Sequence, residues 1–205
     1  MRVLRLVCIA TIGCLIGCAA APQPQTVDLW AVRQGGVTMA GTCQTRADDS
    51  ARPLIACCTG RRIRVEVLET DTVGAFSWPS GRVFVTRGLL DHLNDAEVTA
   101  AIAHELGHLL SDGYLQIIGE ELRACPDPNR EVRADAAGME LLAAAGLSEQ
   151  PMVTMLKKVE PCIASSEDRR LAFEQRILLA SRHIASEKLP TQITLAAQPA
   201  DFKIR

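Results

Sequence analysis

The 205-residue chain reads as an α+β domain, mainly α-helical, with a small β-sheet beside one central helix. Three observations predict this class. Ile63, Val65 and Val67 alternate with Arg62, Arg64 and Glu66, the period-two pattern of a strand with one buried face, and Gly81 to Thr86 supplies a second strand after the break at Pro79. From Asn94 onward the apolar residues recur at helical spacing. Ala and Leu, both good helix formers, dominate the second half.

The length suffices for one domain with a real core, and nothing requires a second. The 22 Lys+Arg and 24 Asp+Glu are spread without long runs, so the electrostatic footprint of a nucleic-acid binder is missing. An aromatic content of 3% also leaves few platforms for stacked bases.

In chain order, Arg2 and Arg5 precede the apolar stretch Leu6 to Ile16, which is short for a membrane span and fits an export signal over residues 1–17. Leu15-Ile16-Gly17-Cys18 resembles the bacterial lipobox, which implies lipidation of Cys18. Ala19 in the next position, by similarity to Gram-negative lipoproteins, implies a lipid anchor in the outer membrane facing the periplasm. Residues 18–25, with Pro22 and Pro24, read as a tether, residues 26–188 as the domain and residues 189–205 as a tail. Export implies an oxidising compartment for Cys43, Cys57, Cys58, Cys125 and Cys162, hence two disulfides and one thiol. Cys125 and Cys162 each abut a proline at an expected helix end and are the candidate bridge. The pairing of Cys43, Cys57 and Cys58 stays open.

The segment from Gly41 to Gly60, with Asp48-Asp49-Ser50 and Pro53, reads as a loop pinned by disulfides. Ala75 to Ser80 reads as the connection between the two strands. An exposed strand edge here could pair with an extended peptide, and a plain packed hairpin is the alternative. Asn94-Asp95-Ala96-Glu97 is a capping box, and Gly113 a helix stop, which predicts a helix from Asp95 to Ser111. Further helices are expected from Tyr114 to Ala124 and from Asn129 to a stop at Gly146, while Glu149 to Val159 reads as an amphipathic, turn-rich segment ended by Pro161-Cys162. A last helix is capped by Ser165-Ser166-Glu167-Asp168, with Leu171, Ile177, Leu178 and Ile184 at helical spacing.

The first of these helices carries His104-Glu105-Leu106-Gly107-His108. Residues four apart share a helix face, so His104 and His108 can offer two imidazoles to one zinc ion, while Glu105 can reach a metal-bound water as general base. A catalytic zinc usually takes a third protein ligand. Glu131 is the best candidate, with Asp135 one turn on to hold a ligating histidine in its tautomer; Glu120, Glu121 and Glu140 compete.

These residues carry a resemblance to peptidase family 48, the zinc metallopeptidases that include the CAAX prenyl protease and the HtpX-like proteases. It rests on Ala75-Phe76 to Leu90, then His104-Glu105-Leu106-Gly107-His108, then Glu131-x-x-Ala134-Asp135-x-x-Gly138, and runs from about Ile63 to Ile184. It implies a zincin-like metalloprotease domain with one Zn2+ per chain, His104, His108 and Glu131 as ligands, Glu105 as base and Asp135 behind them. Gly74 and Ser80 depart from the family pattern in loop positions. A family histidine, thought to stabilise the oxyanion, is replaced where Arg169-Arg170-Leu171 precedes Arg176-Ile177, and Arg170 is the candidate substitute. The implied function is a cell-envelope zinc endopeptidase that cleaves unfolded or misassembled proteins. The alternative is a zinc-binding chaperone-like or assembly-factor lipoprotein that rarely cuts.

Overall fold

The structure, a computed structural model, describes residues 24–38, 40–119, 125 and 129–187. Cys18, the leader, Glu120, Glu121 and the tail from 188 onward lie outside the described residues. The elements run α1 (Pro24–Arg33), β1 (Val37–Thr38), α2 (Thr42–Ala56), β2 (Cys58–Gly60), β3 (Arg64–Leu68), β4 (Ala75–Ser77), β5 (Arg82–Thr86), α3 (Arg87–His92), α4 (Asp95–Ser111), β6 (Leu115–Ile117), α5 (Arg130–Ala144), α6 (Gln150–Ile163) and α7 (Glu167–Glu187). This is the expected mainly helical α+β class. No described helix is long and apolar enough to cross a membrane.

The main sheet has the order β1-β3-β5-β4, with β3 and β5 parallel and both outer pairs antiparallel. Val65, Val67, Val83 and Val85 point into the core with α2 and α4. Leu68 and Phe84 point the other way, where Val27 and Ala31 of α1 cover them. β3 is therefore buried on both faces rather than one. Glu66 tolerates this because Arg82 grips it at 2.6 and 3.1 Å and reaches Asp28 of α1 at 2.5 Å. Trp30 completes the α1 contact, with ring centroids 4.4 Å from Trp78 and 5.2 Å from Phe76.

α4 follows the prediction closely. Asn94 and Glu97 form a reciprocal capping box, and Lys158 of α6 holds the Glu97 carboxylate at 2.7 Å. At the other end Gly113 adopts φ 76°, its N–H donates to Leu110 and the Tyr114 N–H to Leu109, so the orphan carbonyls are satisfied by a Schellman turn. α5 likewise begins at the Asn129 cap, and Gly146 with φ 68° follows its end.

Several expectations are corrected. The segment from Gly41 to Gly60 is α2 and β2, because Ala47, Ser50, Ala51 and Leu54 recur at helical spacing and pack inward, while Pro53 is carried inside the helix. The apparent helix after Tyr114 begins instead as β6, which pairs with β2. α1 starts at Pro24, inside the presumed tether, and α6 continues through Pro161 to Ile163. In α7 the buried face is Phe173, Arg176, Ala180 and Ile184, whereas Leu171 and Leu178 are exposed. The expected Cys125–Cys162 bridge is also overturned, for both are free thiols. Cys162 lies on the outer side of α6, its Sγ 3.7 Å from His92 Nε2, while Cys125 borders the groove between α5 and α7.

The most extensive helix contact is α4 against α5, and small residues make it close. A β-carbon on Gly107 would stand 2.1 Å from the Ala134 carbonyl oxygen, and one on Gly138 would stand 2.8 Å from the Ala103 oxygen. Gly107→Ala must therefore push α5 away, and we expect a loss of about 3 kcal/mol, the upper end of overpacking costs. Urea denaturation measures this, and an unchanged midpoint would contradict the close crossing.

Candidate metal centre

Four elements converge on the site: α4 supplies His104, Glu105 and His108, α5 supplies Glu131 and Asp135, α7 supplies Arg176, and β4 borders it. His104 and His108 lie one turn apart, with ring centroids 4.8 Å apart. Glu131 reaches them across the helix crossing, Oε2 at 3.4 Å from His104 Nε2 and Oε1 at 3.4 Å from His108 Nε2. One donor atom from each of the three residues lies within 4.8 Å of the others, a spacing that could hold a metal ion. Two imidazoles and a carboxylate suit zinc, and three protein donors leave room for a water.

Behind these donors stands a second layer. Asp135 Oδ1 is 2.8 Å from His104 Nδ1, and Arg176 holds the same carboxylate from Nε at 2.7 Å and Nη2 at 2.8 Å. The third guanidinium nitrogen, Nη1, is 3.3 Å from Glu131 Oε2. When Nδ1 donates to Asp135, Nε2 carries the lone pair toward Glu131 and the metal position, so the donor set fits zinc.

Without a bound metal, charge holds the centre together. Burial disfavours the His104 cation, but Asp135 and Glu131 more than offset this and raise its pKa to about 10. Burial would raise Glu131, yet the bond from His104 and the nearby cations hold it down at about 2. Asp135 is depressed for the same reasons, burial being outweighed by Arg176 and His104. Burial and the His104 charge together depress His108 to about 4. Glu105 is raised, chiefly by burial, with the His104 charge and the Ser77 hydroxyl of β4 pulling the other way.

The structure thus brings together His104, Glu105, His108, Glu131 and Asp135, all named from the sequence. Glu140 is buried further along α5 and outside this donor group. Arg170 is not at the site: it is exposed and pairs with Glu167 one turn back on α7. The reason is helical phase, since Arg176, six residues on, falls on the inward face between Phe173 and Ala180. Sequence reading missed Arg176 as a site residue. The usable signal is an arginine interrupting the stripe Phe173, Ile177, Ala180, Ile184, where burial demands partners for the charge.

A mainly helical α+β domain that sets an HExxH helix against an acidic helix has the arrangement expected of a metallopeptidase domain. The family model of peptidase family M48 matches residues 55–122. The chain is also similar to the mitochondrial metalloendopeptidase OMA1 of Arabidopsis thaliana, 28% identical over 141 residues, covering 56% of this chain and 29% of that protein. The chain therefore spans less than a third of the length of that relative.

The charge arrangement sets a pH dependence for the metal-stripped protein. The His104 pKa is raised from 6.5 to about 10, so its stabilisation is complete below pH 6.5 and is lost as pH rises toward 10. The His108 pKa is depressed from 6.5 to about 4, so its contribution is lost as pH falls through that interval. Chelator-treated protein should show a thermal midpoint that peaks near pH 6.5 and declines on both sides. A midpoint that keeps rising between pH 7 and 9 would contradict the His104 pairing.

Proposed function

We propose that the chain is a zinc-dependent endopeptidase acting on unfolded polypeptide. The observation that carries this reading is the convergence of His104, His108 and Glu131, with Glu105 beside them and the β4 edge along the cleft. Bound there, zinc would supply Lewis acidity toward a carbonyl oxygen and lower the pKa of a water to roughly 7. Glu105 would accept the proton of the attacking water and pass it to the leaving amine. Its burial, which raises its pKa, suits a group that must both take and give a proton near neutral pH. Asp135 would fix the His104 tautomer, and Arg176 would hold Asp135 and Glu131 in place. β4 is the end strand of its sheet, so an extended chain could add to its free edge by main-chain hydrogen bonds, with little sequence preference.

In this reading the leader and Cys18 place the domain on a lipid anchor in the cell envelope, and the substrates are unfolded or misassembled envelope proteins. One observation favours a second reading, a zinc-binding chaperone-like or assembly-factor role with little cleavage. With Arg170 turned outward, the arginines facing the site are already engaged, Arg176 by Asp135 and Glu131 and Arg130 by Asp112.

Hydrolysis of unfolded casein with and without chelator separates these readings, and metal analysis should find one zinc per chain. Glu105→Gln should keep zinc and lose at least about 100-fold in rate, as expected for a general base. Glu131→Ala should lose zinc and activity together, while Asp135→Ala should weaken zinc affinity by roughly 10- to 100-fold. Casein protected from aggregation but never cut would establish the second reading.

A further inference from the structure

α1 has two apolar faces, and the sheet takes only one of them. Val27 and Ala31, four residues apart, are buried against Leu68 and Phe84. Leu29 and Val32, three residues apart, share the other face and stand 61% and 69% exposed, the highest values among the exposed large hydrophobics of the described residues. Single exposed apolar residues are ordinary, but this pair has aromatic neighbours. Trp30 lies between them in sequence and packs on Trp78 and Phe76, and Phe76 is itself partly exposed. Asp28, the one acid of α1, is tied to Arg82, while Arg33 ends the helix exposed.

We propose that this outer face of α1 lies on the surface of a phospholipid bilayer; this builds on the reading of Cys18 as a lipid anchor. Chain length selects the occupant. Cys18 stands six residues before Pro24, the first residue of α1, and six residues span at most about 22 Å. A lipid on Cys18 therefore bounds α1 more tightly to the membrane than any later element. At that range the face meets the bilayer at high effective concentration, so two aliphatic side chains and an indole can orient a domain that they could not hold untethered. Tryptophan suits the headgroup level, where its apolar ring and its N–H are both accommodated, and Arg33 offers a cation to lipid phosphate. A second copy of the chain is a poorer occupant, because a ten-residue helix presents far less than the roughly 800 Å² per partner of a stable interface. Phe76 joins this face to the cleft, since it contacts Trp30 and also lines the cavity beside His104 and Glu105. A domain docked through α1 holds the β4 edge near the bilayer, where polypeptide at the membrane surface can reach it.

The chain has two tryptophans, Trp30 and Trp78, and both belong to this cluster, so tryptophan emission reports on this face. Protein expressed from the full chain is reconstituted into phosphatidylethanolamine and phosphatidylglycerol vesicles that contain brominated phospholipid. Bromine near the headgroups should lower the emission by roughly a third, and bromine at the acyl-chain ends should leave it nearly unchanged, because an interfacial helix enters only about 5–10 Å. The double variant Leu29→Asp, Val32→Asp should lose this quenching yet still sediment with the vesicles through its lipid, and its thermal midpoint should match the parent, since both positions are exposed. No quenching in protein whose mass shows acyl groups on Cys18 would overturn the proposal and leave the anchor standing. Quenching that persists in the double variant would also overturn it, as would self-association that the double variant abolishes without any quenching in the parent. A mass with no acyl groups would sink the anchor reading; the α1 contact then stands if quenching is still seen and falls if it is not.

Discussion

Backbone meets backbone where α4 crosses α5, because Gly107 faces the Ala134 carbonyl and Gly138 faces the Ala103 carbonyl with no side chain between. A helix-interior glycine costs about 1 kcal/mol against alanine. Here two such glycines bring the helices to a separation no larger residue would permit. His104 lies three residues before Gly107, and Glu131 three residues before Ala134, so each donor is only about 4.5 Å along its helix from the contact. Over so short a lever the crossing distance passes almost directly into the gap between the two imidazoles and the carboxylate. The site is thus a consequence of packing before it is one of chemistry.

Held that close, the side chains form an alternating chain of charge, Arg176 to Asp135 to His104 to Glu131, in which each buried group is paired. Burial alone would neutralise these groups, and each shift from that tendency is set by a neighbour. The layout makes the metal and the proton competitors at His104 Nε2. A metal ion arriving there would have to displace a proton held well above neutral pH, but would also meet a carboxylate already ionised and an imidazole at His108 already neutral. Two of the three donors are prepared, and the third is prepared in tautomer though not in charge.

How much of this the sequence disclosed depended on whether the determining interactions were local. The ends of α4 were legible because caps are written in neighbouring residues, Asn94 with Glu97 and Gly113 at the stop. The donor helix α5 was legible for the same reason, from Asn129 to Gly146. α2 was misread because Pro53 and paired acids look like loop chemistry, and its helical state comes from burying Ala47, Ala51 and Leu54 on α4 and β3. The cysteines were misread through an argument about compartment, which gives no information about distance. Arg176 was passed over since nothing next to it in sequence shows what it meets, and its partners are 41 and 72 positions away.

That difference also explains how the site divides its labour. The residues placed in the reaction sit on the two helices locked by glycine contacts, where a small shift would separate the donors. The apolar side of the cleft is made by α6 and α7, which touch the core through side chains of adjustable size such as Met155 and Phe173. Methionine and leucine surfaces accept substitution more easily than a glycine crossing does, because a changed volume there can be absorbed by repacking. Substitutions on α6 and α7 can therefore reshape the cleft while leaving His104, His108 and Glu131 where they are. In the proposed reading, a chain added to the edge of β4 would meet no side-chain preference there, and any discrimination would fall to the helices opposite it.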